Sequence, residues 1–382
     1  MDILGEEAAR WLQDKLAQME EALSALVEQN SFTDNAEGGR AVGRRLLELF
    51  AIEGLEGEAV RSSLFADHLV FRSQGKRAPP VALLGHLDTV FPPGRFEGYR
   101  GDGELRRGPG VLDMKGGLVV VAFALRALAE TRGLAVLPPL RIAIVADEEV
   151  GSPEGQGVIR GAIAGSGAAL GFESGRPGDA IITRRKGTGA LTAVSHGKAA
   201  HAGNAHQEGA NAIWALARFV DRAQGITDYP RGVTVNAGKI SGGQGKNTVP
   251  DRAEAILDLR FCSHADGEET VGRLCRAAEE AAVPGTRIEL QGGIAREPLE
   301  RTAASAALMQ EYAECARASG LGASESELVG GGSDASTSSS MGIPSIDGLG
   351  PRGKGFHTAE EQIEVATLIP KAQALARFLS RR

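Results

Sequence analysis

Acidic and histidine side chains follow three short apolar segments, each of which has the unbroken hydrophobic pattern of a strand buried on both faces. The side chains are His86 and Asp88 after residues 81–84, Glu148 and Glu149 after residues 141–146, and Glu173 after residues 168–172. Ligands of open α/β sheets bind at the carboxyl ends of the strands. We therefore expect these groups to converge on one crevice.

Two further residues extend this set of candidate metal ligands. Asp113 lies among glycines in segment 108–117, just before an apolar helix, and His357 lies in a loop near the C-terminus. Nitrogen and oxygen donors without thiolate are typical of a divalent metal site. Five ligands (His86, Asp113, Glu149, Glu173 and His357) suit two ions better than one. Three carboxylates and a bridging hydroxide would balance their charge, and such a hydroxide is the nucleophile that these sites generate.

The spacing also suggests roles for the neighbouring acids. Consecutive residues of an extended chain point to opposite sides, so Glu149 can face the metal while Glu148 faces water as a general base. Asp88 lies two residues beyond His86 and is placed to accept the other ring N–H of that histidine, which would fix its tautomer.

The pattern along the chain predicts two domains, as does the length of 382 residues. Helical periodicity covers residues 6–29 and 38–50, and strands then alternate with helices, which indicates a mostly parallel sheet flanked by helices. Ser152, Pro153 and Glu154 have the types expected at a helix start. A helix over 302–319 begins the return to this catalytic domain, which we assign to residues 1–185 and 297–382.

The intervening residues, 186–296, have a different pattern, typical of an inserted α+β domain. Strands and helices follow in the order βαββαβ of the ferredoxin-like motif. The predicted strands are 188–196, 233–240, 252–262 and 286–291, and the predicted helices are 207–224 and 267–282. We interpret this domain as a lid.

Composition excludes several classes of function. The net charge of −7 without a basic stripe argues against nucleic acid as a partner. No stretch approaches the ~18 apolar residues of a membrane span. The three scattered cysteines support neither a disulfide framework nor a thiolate metal site. The N-terminal segment lacks the pattern of a signal peptide, so we expect a cytoplasmic protein.

Motifs in order along residues 80–360 resemble the di-zinc metallopeptidase family of glutamate carboxypeptidase (carboxypeptidase G), acetylornithine deacetylase, succinyl-diaminopimelate desuccinylase and the aminoacylases. The spacing and the Gly-Gly-Gly-Ser-Asp loop place the sequence nearest glutamate carboxypeptidase. The motifs are His86-x-Asp88, Gly110-Val-Leu-Asp-Met-Lys-Gly-Gly117, Asp147-Glu-Glu-Val-Gly-Ser152, Gly197-Lys-Ala-Ala-His-Ala-Gly203, Gly331-Gly-Ser-Asp334 and His357-Thr358.

The resemblance implies two Zn²⁺ ions per subunit, with Co²⁺ or Mn²⁺ as alternatives. Asp113 would bridge the ions, His86 and Glu173 would complete one site, and Glu149 and His357 the other. Glu148 would be the base, with Asp88 as the residue that orients His86. The bond Asp113–Met114 would be cis.

On the lid, the resemblance implies that His201 polarises the scissile carbonyl, reaching into the partner's active site of a homodimer. Asn247 and Arg260 would bind the substrate's carbonyl and α-carboxylate. Two alternatives stay open from the residues alone: His201 as a plain loop residue near His206, and Arg260 in a solvated ion pair with Asp258 or Glu254.

The expected activity is metal-dependent hydrolysis of an amide bond that releases a C-terminal amino acid with a free carboxylate, most of all glutamate, from a short peptide or N-acyl amino acid. An N-acyl amino acid deacylase or deacetylase of the same family is the alternative. A non-catalytic binding protein on the same fold is a third possibility, against which the complete set of ligands and base argues.

Overall fold

Two compact units make up the computed structural model, which describes residues 3–76 and 78–382. The first unit comprises Met1–Arg184, Arg301–Leu328 and Ser333–Arg382, and the second comprises Arg185–Glu300 and Val329–Gly332. Across the described part of the chain, no helix combines the length and the apolar character that crossing a bilayer requires.

The first unit is built on a six-stranded sheet. The strands of this unit are β1 (Leu55–Val60), β2 (His68–Ser73), β3 (Val81–His86), β4 (Arg100–Asp102), β5 (Leu105–Arg107), β6 (Leu140–Val145), β7 (Ala168–Gly171), β14 (Ser345–Ile346), β15 (Gly353–Lys354) and β16 (Gln362–Glu364). The sheet order is β1-β2-β6-β3-β7-β14, and its last four strands run parallel while β2 is antiparallel to both neighbours. The predicted, mostly parallel sheet is therefore confirmed, with one reversed strand. A second sheet of short strands has the order β15-β16-β5-β4.

Helices enclose this sheet. They are α1 (Ile3–Trp11), α2 (Leu16–Val27), α3 (Ala36–Leu49), α4 (Lys115–Arg132), α5 (Gly155–Ile163), α8 (Ala303–Ala318), α9 (Ala335–Ser340) and α10 (Leu368–Arg381). Helix α4 is buried along most of its length, from Lys115 to Leu128, because α1, α2 and α10 pack around it. Its apolar side chains join those of β3 and β6 in the largest hydrophobic core. That core fixes the position of the residues just before α4.

The second unit has the predicted ferredoxin-like arrangement. Its elements are β8 (Gly187–His196), β9 (Ala200–His201), α6 (Ala212–Gln224), β10 (Thr234–Gly242), β11 (Thr248–Val249), β12 (Arg252–Phe261), α7 (His264–Ala281) and β13 (Arg287–Arg296). The sheet is antiparallel in the order β10-β12-β8-β13, and α6 and α7 bury their apolar sides against it. Strands β9 and β11 form a separate two-stranded ribbon.

The start of α5 differs from the prediction. Asp147, rather than Ser152, caps this helix: its Oδ2 accepts the N–H groups of Glu154 and Gly155 at 2.8 and 3.0 Å. Ser152 has a positive φ of 53° and donates its hydroxyl to Asp334 Oδ1 at 2.6 Å. The prediction of Ser152 as the cap was wrong because a more distant carboxylate already satisfies the first free N–H groups.

A close approach of α4 to the end of β7 yields a stability test. A Cβ atom added to Gly117 would lie 2.0 Å from the carbonyl oxygen of Phe172, whereas one added to Gly157 on α5 would meet nothing within 4 Å. We expect Gly117→Ala to destabilise the protein by about 1–3 kcal/mol through overpacking. Gly157→Ala, the matched control, should stabilise it by up to about 1 kcal/mol through helix propensity. Thermal unfolding midpoints of both variants check this, and equal shifts would contradict it.

Candidate metal centre

Two of the predicted ligands leave the sheet at one edge because β3 and β7 are parallel neighbours. His86 is the last residue of β3, and Glu173 follows two residues after β7. His86 Nε2 and Glu173 Oε2 are 3.7 Å apart, and both side chains are buried. The parallel register therefore brings together an imidazole and a carboxylate that are distant in sequence.

Asp113 lies between the two candidate histidines. Its Oδ1 is 3.3 Å from His86 Nε2, and its Oδ2 is 3.4 Å from His357 Nε2. The peptide bond that joins Asp113 to Met114, directly before α4, is cis. Each carboxylate oxygen thus faces a different imidazole, which is the arrangement a bridging ligand needs.

Glu149 completes the second side of the cluster. Its Oε2 lies 3.0 Å from His357 Nε2. The His357 ring in turn packs edge-on against Phe356, with centroids 5.4 Å apart. Glu148–Val150 forms a 3₁₀ turn rather than extended chain. The prediction that strand alternation directs Glu148 and Glu149 to opposite sides was therefore wrong. The turn is imposed by backbone hydrogen bonds to the Asp147 carbonyl from Val150 and Ser152.

The separations within this cluster fit metal ligands. Ligand atoms of His86, Asp113 and Glu149 all lie within 4.8 Å of one another. Atoms bound at 2.0–2.1 Å to a tetrahedral ion are themselves about 3.3 Å apart. The contacts through Asp113 and His357, at 3.0–3.4 Å, have that spacing.

The hydrogen bonds of His86 also fit a ligand. Its Nδ1 is 3.0 Å from the carbonyl oxygen of Asp88, which accepts the Nδ1–H, and 3.3 Å from Asp88 Oδ1. That pairing leaves the lone pair of Nε2 directed at the oxygens of Asp113 and Glu173. His86 Nε2 and the carboxylate oxygens of Asp113 and Glu173 then face one another in a buried space. All of them are acceptors, so only a cation or a proton can lie between them.

The pKa values of this cluster reflect the same charge concentration. Burial would lower the pKa of His86, but the charge of Glu173 and hydrogen bonds with Asp113 raise it well above its usual value. Burial raises the pKa of Glu173 well above its usual range. The carboxylates therefore need a positive charge beside them to stay ionised in this position.

On the other side, hydrogen bonds with Asp113 and Glu149 raise the pKa of His357 to about 10. Burial raises the pKa of Glu149 to about 7. Burial opposes the ionisation of Asp113 too, yet its hydrogen bonds with the two histidines outweigh burial and hold its pKa well below the usual range. Without metal, protons on the imidazoles supply the positive charge that the acids require.

Asp88 organises more than His86. Its carboxylate accepts the backbone N–H of Glu148 at Oδ1 and that of Glu149 at Oδ2, both at 3.2 Å, and the hydroxyl of Thr33 at 2.8 Å. One buried side chain therefore holds the imidazole at the end of β3 and the turn after β6. The sequence suggested only the first of these contacts.

The predicted lid residues lie in the second unit. His201 is exposed, and its Nδ1 accepts the N–H groups of Gly203 and Asn204 at 3.1 and 3.0 Å. These bonds leave the proton on Nε2, so the imidazole presents a donor. Asn247 is tied to the same ribbon because its carbonyl accepts the N–H of Ala202 at 2.9 Å.

Arg260 is in an ion pair. Its guanidinium makes two hydrogen bonds of 2.9 Å to the carboxylate of Asp258, two residues earlier on β12. This is the alternative that the sequence left open. The Arg260 side chain is 34% exposed and can therefore be reached from solvent. Its role in binding the substrate stays a prediction.

Two buried charged residues near Asp113 were missed as functional candidates. Glu361 accepts backbone N–H groups from the Asp113 loop, and Lys115 Nζ donates to the carbonyls of Leu26 and Gln29 at 3.0 and 3.1 Å. Burial raises the pKa of Glu361 to about 7 and lowers that of Lys115 to about 7. The position of Glu361, four residues after His357, was the available signal, but spacing alone does not reveal burial.

Comparison with known proteins supports the same chemistry. Residues 82–381 match the model of Peptidase family M20/M25/M40. The chain belongs to this family. The match begins in β3 and ends in α10, so it includes every predicted metal ligand.

Two relatives of this M20 family chain have low sequence identity to it but align over most of both chains. Carboxypeptidase G2 of a Pseudomonas species is 26% identical over 361 residues, which cover 93% of this chain and 86% of that protein. Succinyl-diaminopimelate desuccinylase of Xanthomonas oryzae is 28% identical, with 90% of this chain and 93% of that protein covered. A tripeptidase structure from Staphylococcus aureus has a TM-score of 0.79 at 22% identity, covering 96% of this chain and 99% of that one.

The M20 family assignment makes the protein a hydrolase of the metallopeptidase type. The donor set and its spacing agree with the metal dependence of that family. The residues present therefore fit divalent metal ions.

The contacts of Asp88 yield a test in this M20 protein. We expect Asp88→Asn to weaken metal binding about 10–100-fold, because an amide cannot accept all the N–H groups that the carboxylate accepts. Asp67→Asn is the matched control. Asp67 is paired with Arg40, whose Nε lies 3.3 Å from Asp67 Oδ1, and not with a predicted ligand. Competition with a chromophoric chelator measures both affinities. Equal affinities for the two variants would refute the organising role of Asp88.

Proposed function

We propose that this protein uses two divalent metal ions, with zinc as the first candidate, to hydrolyse an amide bond and release an amino acid with a free α-carboxylate. The two oxygens of Asp113, each facing a different histidine, carry this proposal. His86 and Glu173 would hold one ion, and Glu149 and His357 the other. Bound metal ions polarise an amide carbonyl and lower the pKa of water, which is the chemistry of two-metal hydrolysis.

Glu148 is the general base in this proposal. It lies half-buried in the turn next to Glu149, and Asp88 fixes that turn through two N–H groups. Glu148 takes a proton from the attacking water and delivers it to the leaving amine. Neighbouring Asp88 orients His86 and the turn, so that base and ligands keep a constant separation.

The second unit supplies substrate contacts. The Nε2–H of His201 donates to the carbonyl oxygen as negative charge develops there, which its hydrogen-bonded Nδ1 allows. Asn247 binds the same carbonyl. Arg260 binds the α-carboxylate with its planar fork, exchanging Asp258 for the substrate. The substrate is accordingly a short peptide or N-acyl amino acid.

Two activities of this kind have support among the relatives. A carboxypeptidase that releases C-terminal glutamate or a similar residue is the first candidate, because carboxypeptidase G2 aligns over 93% of the chain. An N-acyl amino acid deacylase is the second, because a succinyl-diaminopimelate desuccinylase aligns over 90%. A panel of glutamyl-terminated dipeptides and N-acyl amino acids, assayed for released amine, separates them.

The base assignment has a direct test. We expect Glu148→Gln to keep both metal ions while the turnover number falls about 10²–10⁴-fold, since the amide cannot accept the proton. Glu130→Gln on the exposed side of α4 is the control and should match the wild type. Metal content by elemental analysis and steady-state rates are compared, before and after chelation. Retained activity in Glu148→Gln, or in metal-stripped enzyme, would refute the mechanism.

We further propose a homodimer formed through the second unit. Strand β10 is an edge strand of this sheet, and Ile240 on it is 59% exposed. The first turn of α6 exposes Ile213 and Trp214, and Ile213 lies beside Gly243 just after β10. An apolar patch at a free sheet edge favours self-association.

Mixing inactive variants tests whether His201 acts in the partner's site. His201→Ala and Glu148→Gln are each expected to be inactive alone. After subunit exchange, half of the dimers are mixed and one of their two sites is intact, so activity should recover to about one quarter of wild type. Light scattering gives the oligomeric state in parallel. Dimers that exchange without recovering activity would show that His201 does not act across the interface.

A further inference from the structure

Glu361 is a fully buried carboxylate that the proposed chemistry does not use. The loop carrying Asp113 closes around it: Gly110 N–H donates to Oε2 at 3.2 Å, and the N–H groups of Leu112 and Asp113 donate to Oε1 at 2.9 and 3.0 Å. Three donors of one loop therefore converge on one side chain of another loop.

Burying a carboxylate costs free energy unless hydrogen bonds compensate for the lost contacts with water. If this position served only to fill space, an apolar side chain would stabilise the fold more. Ionised carboxylates accept only, and charge-assisted bonds to N–H groups are about twice as strong as neutral ones. The arrangement at Glu361 thus fixes the backbone of Gly110–Asp113 more tightly than apolar packing would.

The other end of Glu361 belongs to the His357 loop. The N–H of Glu361 donates to the Thr358 carbonyl at 3.1 Å, and the N–H of Thr358 donates to the Gly355 carbonyl at 3.0 Å. This hydrogen-bonded turn holds His357 and Glu361 together. Glu361 consequently connects the loop of His357 to the loop of Asp113.

The opposite side of the cluster has different support. His86 and Glu173 follow β3 and β7, which pair directly from Val81 with Ala168 to Leu84 with Gly171. Their separation is therefore set by the sheet, whereas that of Asp113 and His357 depends on a contact between two loops.

We propose that Glu361 is a positioning residue that sets the separation of Asp113 and His357, and thereby controls the affinity of the Glu149–His357 side for its metal ion. This inference rests on the two-metal function proposed above. It assigns Glu361 no contact with metal or substrate.

Glu361→Gln tests this with little change in shape. Its amide oxygen can still accept from Leu112 and Asp113, but its NH₂ group meets the N–H of Gly110. We expect the affinity of the Glu149–His357 side to fall about 10–100-fold and that of the other side to change less than about threefold. Glu361→Asp keeps the charge but shortens the reach, so we expect the same selective loss and use it if Glu361→Gln does not fold.

The matched control is Glu360→Gln. Glu360 is the exposed neighbour, 3.5 Å from Arg107, and its substitution should leave both affinities unchanged. Competition of Co²⁺ with a chelator, followed by the visible absorption of bound Co²⁺, measures both affinities. A His357→Ala variant identifies which affinity belongs to which side.

The outcomes separate the two proposals. Wild type or Glu360→Gln binding fewer than two ions would overturn the two-metal function itself. Two ions bound in the wild type, with unchanged affinities in Glu361→Gln, would overturn the role of Glu361. Equal weakening of both sides would overturn it as well, because that is the result of a general loss of stability.

Discussion

The concentration of negative charge around Asp113 is the constraint on which the site depends. Asp113, Glu149 and Glu173 point into one largely buried space, where carboxylates repel one another more strongly than they do in water. Two imidazoles alternate with these acids, and Asp113 lies between both. Such a cluster is stable only with positive charge inside it, from protons or from metal ions.

The scaffold meets this constraint by fixing the ligands through backbone groups. Asp88 holds the turn of Glu148 and Glu149 by two N–H groups, and Glu361 holds the loop of Asp113 by three. The buried helix α4 begins at Lys115, directly after the Asp113–Met114 bond, and so anchors the end of the Asp113 loop. The like-charged ligands are therefore kept together by elements that do not themselves bind metal.

Much of this architecture follows from sequence pattern. Buried strands such as β3 have an unbroken apolar pattern, and the βαββαβ order of the second unit is visible in its periodicity. The local conformation is not predictable in the same way. The 3₁₀ turn at Glu148 and the capping of α5 by Asp147 arise from hydrogen bonds between residues several positions apart. Glu361 needs a contact across about 250 residues of sequence, so neither its burial nor its partners have a local signal.

X-ray diffraction from crystals of the zinc-loaded protein, recorded on both sides of the zinc absorption edge, would show whether two ions bind around Asp113. We expect two anomalous peaks per subunit, one on each side of Asp113, with the His86 and His357 rings at opposite ends. A single peak, or peaks remote from Asp113, would contradict it.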